Sequence, residues 1–249
     1  LLRYNMPKKY IIFDLDETLG TFVQLGIFKD ALETTFKINM TQPAFNELCA
    51  AFIKSFRPNL LQILKNIQKH KKKSNDVYLL IYTNNIGPKI WTIQIKTFLE
   101  EALQEPGLFD YVIGGYIDMH NKRTELCRTT LAKLPADIRR CIGSPIDAKY
   151  IFFDDQHHPQ MIHSNVTYIK SKPYNYAYTH PEMMQEFLQT NFAKYLLENY
   201  SNPQVFLEKL AKELVRARYY PKPITQNELD VDVVITKQMI HHIEEFLAN

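Results

Sequence analysis

Two aspartates one residue apart, Asp14 and Asp16, directly follow the apolar run Tyr10-Ile11-Ile12-Phe13. If the chain stays extended past Phe13, both carboxylates turn to one side and Leu15 turns to the other. Carboxylates that close repel one another. A divalent cation removes much of that repulsion, and Mg2+ suits oxygen ligands and phosphate. A second acid pair, Asp154-Asp155, ends the run Tyr150-Ile151-Phe152-Phe153, where core packing gives no reason for it. One or both of these acids can complete the oxygen coordination of Mg2+. Thr83 follows the run Val77 to Tyr82 and can donate its hydroxyl to a phosphoryl oxygen. Lys122 can offer positive charge where negative charge develops in phosphoryl transfer. Taken singly, Asp14 and Asp16 are equally well a helix cap and an exposed acid, and Thr83 and Lys122 read more readily as a turn or cap hydroxyl and a solvated lysine.

Order and context say more than any one of them. Acid pair, hydroxyl, lysine and acid pair occur in sequence, and three of the four follow apolar segments. Uniformly apolar strands suit the middle of a sheet covered on both faces. In an open parallel sheet their carboxyl ends share one edge, where ligands are expected.

The elements between them must be helices for such a sheet to form. Leu60, Leu61, Leu64 and Ile67 recur at helical spacing after Arg57-Pro58, with the basic run Lys69 to Lys73 at that helix's end. Further helices are predicted over 88–103 and 124–133, the second just after Lys122. The alternation predicts an α/β fold with a parallel sheet flanked by helices. About sixty residues separate the first two strands, more than one crossover needs. Ala31 to Phe36 and Ala44 to Phe56 look helical, so 20–56 is predicted as a small helical insertion, either a cover over the active-site edge or a packing excursion. The first domain is expected over 1–170 and a mostly helical C-terminal extension over 171–249. In that extension, Tyr174, Tyr176 and Tyr178 alternate in a loop or edge strand. Helices follow Pro181 and span Phe206 to Val215, Val231 to Ile235 reads as a short strand, and Lys237 to Leu247 as a final helix. The extension is expected to dock on the sheet or to meet a protein partner.

Composition narrows the class. With 45% apolar and 23% charged residues and only 7 Gly, neither broad disorder nor a fibrous repeat is indicated. A net charge of +3 is compatible with an anionic substrate and leaves a nucleic-acid partner undecided. No apolar run reaches the length of a membrane span, and Leu1 to Tyr10 has no leader-like core, so an intracellular location without a membrane partner is expected. Cys49, Cys127 and Cys141 lack paired spacing and are expected as buried thiols in a reducing compartment. They lack a local glycine-rich phosphate cradle, and His157 and His158 beside the second acid pair fit a solvated loop or a substrate contact better than a zinc centre.

The segment Phe13-Asp14-Leu15-Asp16-Glu17-Thr18-Leu19 resembles the first motif of the haloacid dehalogenase superfamily of phosphatases. Thr83, Lys122 and Asp154-Asp155 are similar to its second, third and fourth motifs. Within the superfamily, Asp-Leu-Asp-Glu-Thr-Leu at 14–19, Arg57-Pro58 and Ile81-Tyr82-Thr83-Asn84-Asn85 resemble the phosphatases of the RNA polymerase II C-terminal tail, over roughly residues 8–170. The double acid at 154–155 is closer to the general superfamily. The resemblance implies a Rossmann-like parallel sheet and phosphomonoester hydrolysis through an aspartyl-phosphate. It implies Asp14 as nucleophile, Asp16 as general acid and base, and Thr83 and Lys122 on the phosphoryl oxygens. Mg2+ would be held by Asp14, the backbone carbonyl of Asp16, and one or both of Asp154 and Asp155. The expected substrate is a protein phosphoserine or phosphothreonine, the alternative a nucleotide, sugar phosphate or nucleic-acid end. A catalytically silent binding protein is the third reading.

Overall fold

A computed structural model describes residues 7–200 and 202–249; the opening Leu1 to Met6 lies outside the described residues. Five parallel strands form one sheet: β1 (Lys9–Phe13), β2 (Val77–Tyr82), β3 (Tyr111–Ile113), β4 (Lys149–Asp154) and β5 (Val166–Lys170). Nine α-helices occur among the described residues. They are α1 (Val23–Phe36), α2 (Gln42–Ala51), α3 (Leu60–Lys71), α4 (Lys89–Ala102), α5 (Pro135–Ile142), α6 (His180–Leu188), α7 (Asn191–Glu198), α8 (Pro203–Arg216) and α9 (Gln226–Ala248). The fold is α/β with a Rossmann-like sheet.

Strand order is β3-β2-β1-β4-β5. β1 is central because both of its faces and both of its edges are used. Phe13 pairs in register with Ile81 on one side and Phe153 on the other. From β1 the chain goes outward through β2 and β3, then crosses to β4 and β5. The connections therefore diverge between β1 and β4, the crevice where open parallel sheets take ligands. Tyr10, Ile12, Leu80, Tyr82, Tyr150 and Phe152 alternate onto one face and share a core with Ile138 of α5.

Contacts divide the chain into two units. One consists of the chain up to Leu19, Arg57–Tyr174 and Asp230–Asn249; the other of Gly20–Phe56 and Asn175–Leu229. The expected insertion at 20–56 and most of the expected extension are thus one helical unit, and the last twenty residues belong with the sheet. In the helical unit, Leu25, Phe28, Leu32 and Phe36 bury one face of α1 at helical spacing. The Phe28 ring meets those of Phe52 and Phe187 at 5.0 and 5.4 Å.

Two element expectations are overturned. Val231 to Ile235 is not a strand but part of α9. Its β-branched residues suggested extension, yet Asp232, Thr236, Met239 and Ile243 are the buried positions, a helical period. Residues 124–133 form no helix. Thr124 Oγ1 donates to the Gly115 carbonyl, Ala132 N donates to Thr130 Oγ1, and the Arg128 guanidinium takes the Leu131 and Ala132 carbonyls. Such side-chain bonds to the backbone displace the helical ladder. The stretch 174–178, expected as loop or edge strand, is loop.

Candidate active site

Asp14 leaves β1 at the carboxyl edge of the sheet, and its amide donates to the Phe153 carbonyl at 2.9 Å, which carries the register of β1 and β4 one residue beyond the strand. That register sets Asp14 level with Asp154. Between the two carboxylates sits the ammonium of Lys133, 2.5 Å from Asp14 Oδ1 and 2.6 Å from Asp154 Oδ2. All three side chains are buried. The Lys133 stem crosses the sheet face over the Tyr82 and Phe152 rings, each 5.5 Å from its nitrogen.

Lys133 therefore stands where Lys122 was expected. Lys122 is exposed in a turn, where its amide donates to Asp118 Oδ1 and its carbonyl accepts from the Asp118 amide. The misplacement follows from the missing helix at 124–133. An irregular segment carries Lys133 inward, and the buried Arg128 organises it. Arg128 donates to the carbonyls of Thr83, Gly114, Leu131 and Ala132 and to Asn84 Oδ1, with its guanidinium 4.8 Å over the Tyr82 ring. One side chain thus ties the loop after β2 to the segment that ends in Lys133. Sequence reasoning missed Arg128 and Lys133. The signal that could have found Lys133 is a lysine just before Leu134-Pro135, where a helix begins.

A disulfide fastens the same segment. Cys127 and Cys141, expected as free thiols, are bonded to each other, with Cα atoms 5.0 Å apart across 14 residues. Cys49 is the free, buried thiol, its pKa pushed well up by burial. The bond joins the irregular segment to α5. No local Cys spacing announces it, because the segment must first fold back.

The remaining predicted residues fall around this centre. Asp155 is buried and its Oδ1 accepts from Thr18 Oγ1 at 3.3 Å, while its amide donates to the same hydroxyl at 3.2 Å. Thr83 is buried at the end of β2, and its Oγ1 accepts from the Asn85 amide at 3.0 Å, which leaves the hydroxyl proton free to be donated. Asp16 is half-buried and its Oδ2 accepts from Asn85 Nδ2 at 2.8 Å. Asn85 is held in place by a close backbone approach: a Cβ on Gly115 would lie 2.4 Å from the Asn85 carbonyl oxygen. His158 Nε2 lies 3.1 Å from Asp154 Oδ2 without hydrogen-bond alignment, and His157 is exposed.

Burial and charge divide the work among the acids. Burial pushes Asp14 up to about 7, with Lys133 opposing the rise and Asp154 adding to it. Asp154 is held below the ordinary carboxylate range: burial raises it, but the neighbouring His158 and Lys133 outweigh that. Burial lowers the basicity of Lys133, and the Asp14 and Asp154 carboxylates more than restore it, so the ammonium stays charged. Asp16 is raised by burial, with the Asn85 bond opposing.

Asp14, Asp154 and Asp155 bring carboxylate oxygens within 4.8 Å of one another. Fully ionised, three carboxylates and one ammonium sum to −3 + 1 = −2. A divalent cation neutralises that sum, and an all-oxygen donor set suits a hard ion such as Mg2+. The chain's own residues therefore fit such an ion. The Asp16 carboxylate accepts from Asn85, and the resemblance assigns Asp16 to the ion through its backbone carbonyl rather than this side chain. No helix among the described residues is long and apolar enough to cross a membrane. No family model matches the chain, and neither a curated protein nor a solved structure matches it.

Proposed function

We propose that this chain is a Mg2+-dependent phosphomonoester hydrolase of the haloacid dehalogenase type, with Asp14 as nucleophile. One observation carries the reading: Asp14, Lys133 and Asp154 meet at the crevice between β1 and β4, with Asp155 beside them. A carboxylate attacks phosphorus well only if its charge and that of the phosphate are offset, and the net −2 cluster invites that offset. Mg2+, held by Asp14, Asp154 and Asp155, would supply charge neutralisation at the phosphoryl oxygens.

The residues then act in order. An Asp14 oxygen bonds to phosphorus as the ester P–O bond breaks, giving an aspartyl-phosphate. Asp16 donates its proton to the departing alkoxide. Its pKa, raised by burial, suits a group that must begin protonated. The Asp16 carboxylate next takes a proton from water, whose oxygen attacks phosphorus and returns Asp14 with release of inorganic phosphate. Lys133 and the Thr83 hydroxyl would hold the phosphoryl oxygens.

For substrate class we infer phosphoserine or phosphothreonine in a protein. Beside Asn85 lies a cavity of about 260 Å³ whose lining includes Ile86, Pro88, Gly115, Met119 and Lys89. Its size fits one amino-acid side chain next to the ester, and its Ile86 and Met119 are exposed apolar surface. The test is phosphate release from phosphopeptides, nucleotides and sugar phosphates, with and without Mg2+, alongside Asp14→Asn. Metal-dependent release from phosphopeptides that vanishes in the variant is the expected result. Preference for a free nucleotide or sugar phosphate would reassign the substrate, and normal turnover by folded Asp14→Asn would remove the nucleophile.

A further inference from the structure

We infer that Arg57 and Asp232, 175 positions apart in the chain, form a buried strut that positions the proton donor Asp16; the inference rests on the hydrolase reading above. The loop after β1 needs such support. Glu17 has φ of 59°, the left-handed region that non-glycine residues seldom adopt, and Leu19 N returns to the Leu15 carbonyl at 3.0 Å. A turn that tight leaves the Glu17 and Thr18 carbonyls outside any helix or strand ladder. Arg57 takes both, sharing the Glu17 carbonyl with the Tyr174 amide at 2.7 Å: Nε donates to the Thr18 carbonyl at 2.6 Å and an Nη2 proton to the Glu17 carbonyl at 2.9 Å. The same nitrogen donates to the Lys172 carbonyl at 2.8 Å. The planar guanidinium presents its donors to three backbone carbonyls in a fixed geometry, which the rotatable ammonium of a lysine lacks.

Asp232 on α9 answers the guanidinium charge. Both side chains are fully buried, with Arg57 Nη1 and Asp232 Oδ1 4.0 Å apart, and Lys172 Nζ donates to the same Oδ1 at 2.9 Å. The geometry is poor for stability alone, because Arg57 Nη1 and Asp232 Oδ2 have no hydrogen-bond partner. Buried pairs with unmet groups are weak stabilisers, and replacement by apolar residues is often neutral or better. What the arrangement does well is hold one loop. That loop begins at Asp16, whose carboxylate accepts from Asn85 Nδ2 at 2.8 Å.

The consequence is selective. A shifted Asp16 harms departure of a poor leaving group, which needs its proton, and spares an aryl phosphate, which does not. We expect Asp232→Asn to lose about tenfold or more in kcat on a phosphoserine peptide and less than about twofold on p-nitrophenyl phosphate, both with Mg2+. Asp232→Glu, which keeps the charge and moves it by one methylene, should show the same selectivity more weakly, and it decides the matter if the Asn variant does not fold. Equal losses on the two esters, or none, in a folded variant would overturn the positioning role while leaving the hydrolase reading intact. Wild-type protein silent on both esters would instead remove the hydrolase reading and this inference with it.

Discussion

Replacing Lys133 with methionine keeps most of the side chain's length and removes its charge. The Lys133 side chain is 2% exposed, and its nitrogen sits 2.5 and 2.6 Å from two carboxylates. Removing one partner of a buried ion pair costs about 3–5 kcal/mol. The loss should not double for two pairs, because Asp14, already at about 7, can take up a proton near neutral pH and shed its charge. In a chain of this size the melting temperature should fall by roughly 10 °C. Turnover should fall further, by about 10²–10³, since among the described residues Lys133 carries the positive charge ion-paired with Asp14, where the phosphoryl group would be transferred. The assay is kcat at saturating Mg2+, well below the melting temperature, with melting curves for each variant. Lys122→Met is the control: exposed, it should change stability by less than about 0.5 kcal/mol and leave turnover alone. Lost activity in Lys122→Met with retained activity in Lys133→Met would refute the assignment.

Other outcomes follow from the same site. Asp14→Asn should be inactive yet melt at or above the wild-type temperature without metal, because it removes a buried charge that the site disfavours; a strongly destabilised variant would count against this account. Asp14 has a folded pKa raised from 3.8 to about 7, so its contribution to metal-free stability is greatest below pH 4 and is lost as pH rises towards 7. Mg2+ competes with that proton, so the melting-temperature increase on adding Mg2+ should be larger at pH 8 than at pH 5, and a pH-independent increase would exclude the linkage. Reduction of the Cys127–Cys141 bond should lower stability by about 3 kcal/mol, a shift absent from the Cys127→Ser/Cys141→Ser variant; identical melting of the wild type with and without dithiothreitol would contradict it. Arg128→Met should lower kcat, since Arg128 bonds both the loop bearing Thr83 and the segment leading to Lys133; unchanged turnover would show that segment to be held by other contacts.

Much of this was legible from local chemistry. β1, β2 and β4 announce themselves because strands buried on both faces are apolar throughout, and the acids at their ends interrupt that pattern. α3 and α4 follow their apolar periodicity closely. β3 and β5 left no such mark: each is an edge strand, three and five residues long, with much of its surface exposed. Lys133 was hidden for a different reason. Its position depends on Arg128 gathering carbonyls from segments up to 45 residues away, and no periodicity encodes a side chain's distant acceptors. Asp232 is a similar case: Val231 to Ile235 looks extended, but tertiary burial of one helical face outweighs the β-branched preference. The disulfide likewise depends on a fold-back that the Cys spacing does not reveal.

The order in which the chain is made gives the two interleaved units a further meaning. Strand β1, the centre of the sheet, is made before the other four strands, yet Lys9 Nζ donates to the Leu247 carbonyl at 2.7 Å, at the far end of α9. The unit that holds Asp14 also needs Arg57–Tyr174 and Asp230–Asn249. At about 5–20 residues per second the strand waits on the order of tens of seconds before Leu247 emerges. The helical unit, whose final segment ends at Leu229, can be completed earlier. A nascent chain stopped between Lys133 and α9 would therefore carry Asp14 and Lys133 without Asp232, the buried partner of Arg57.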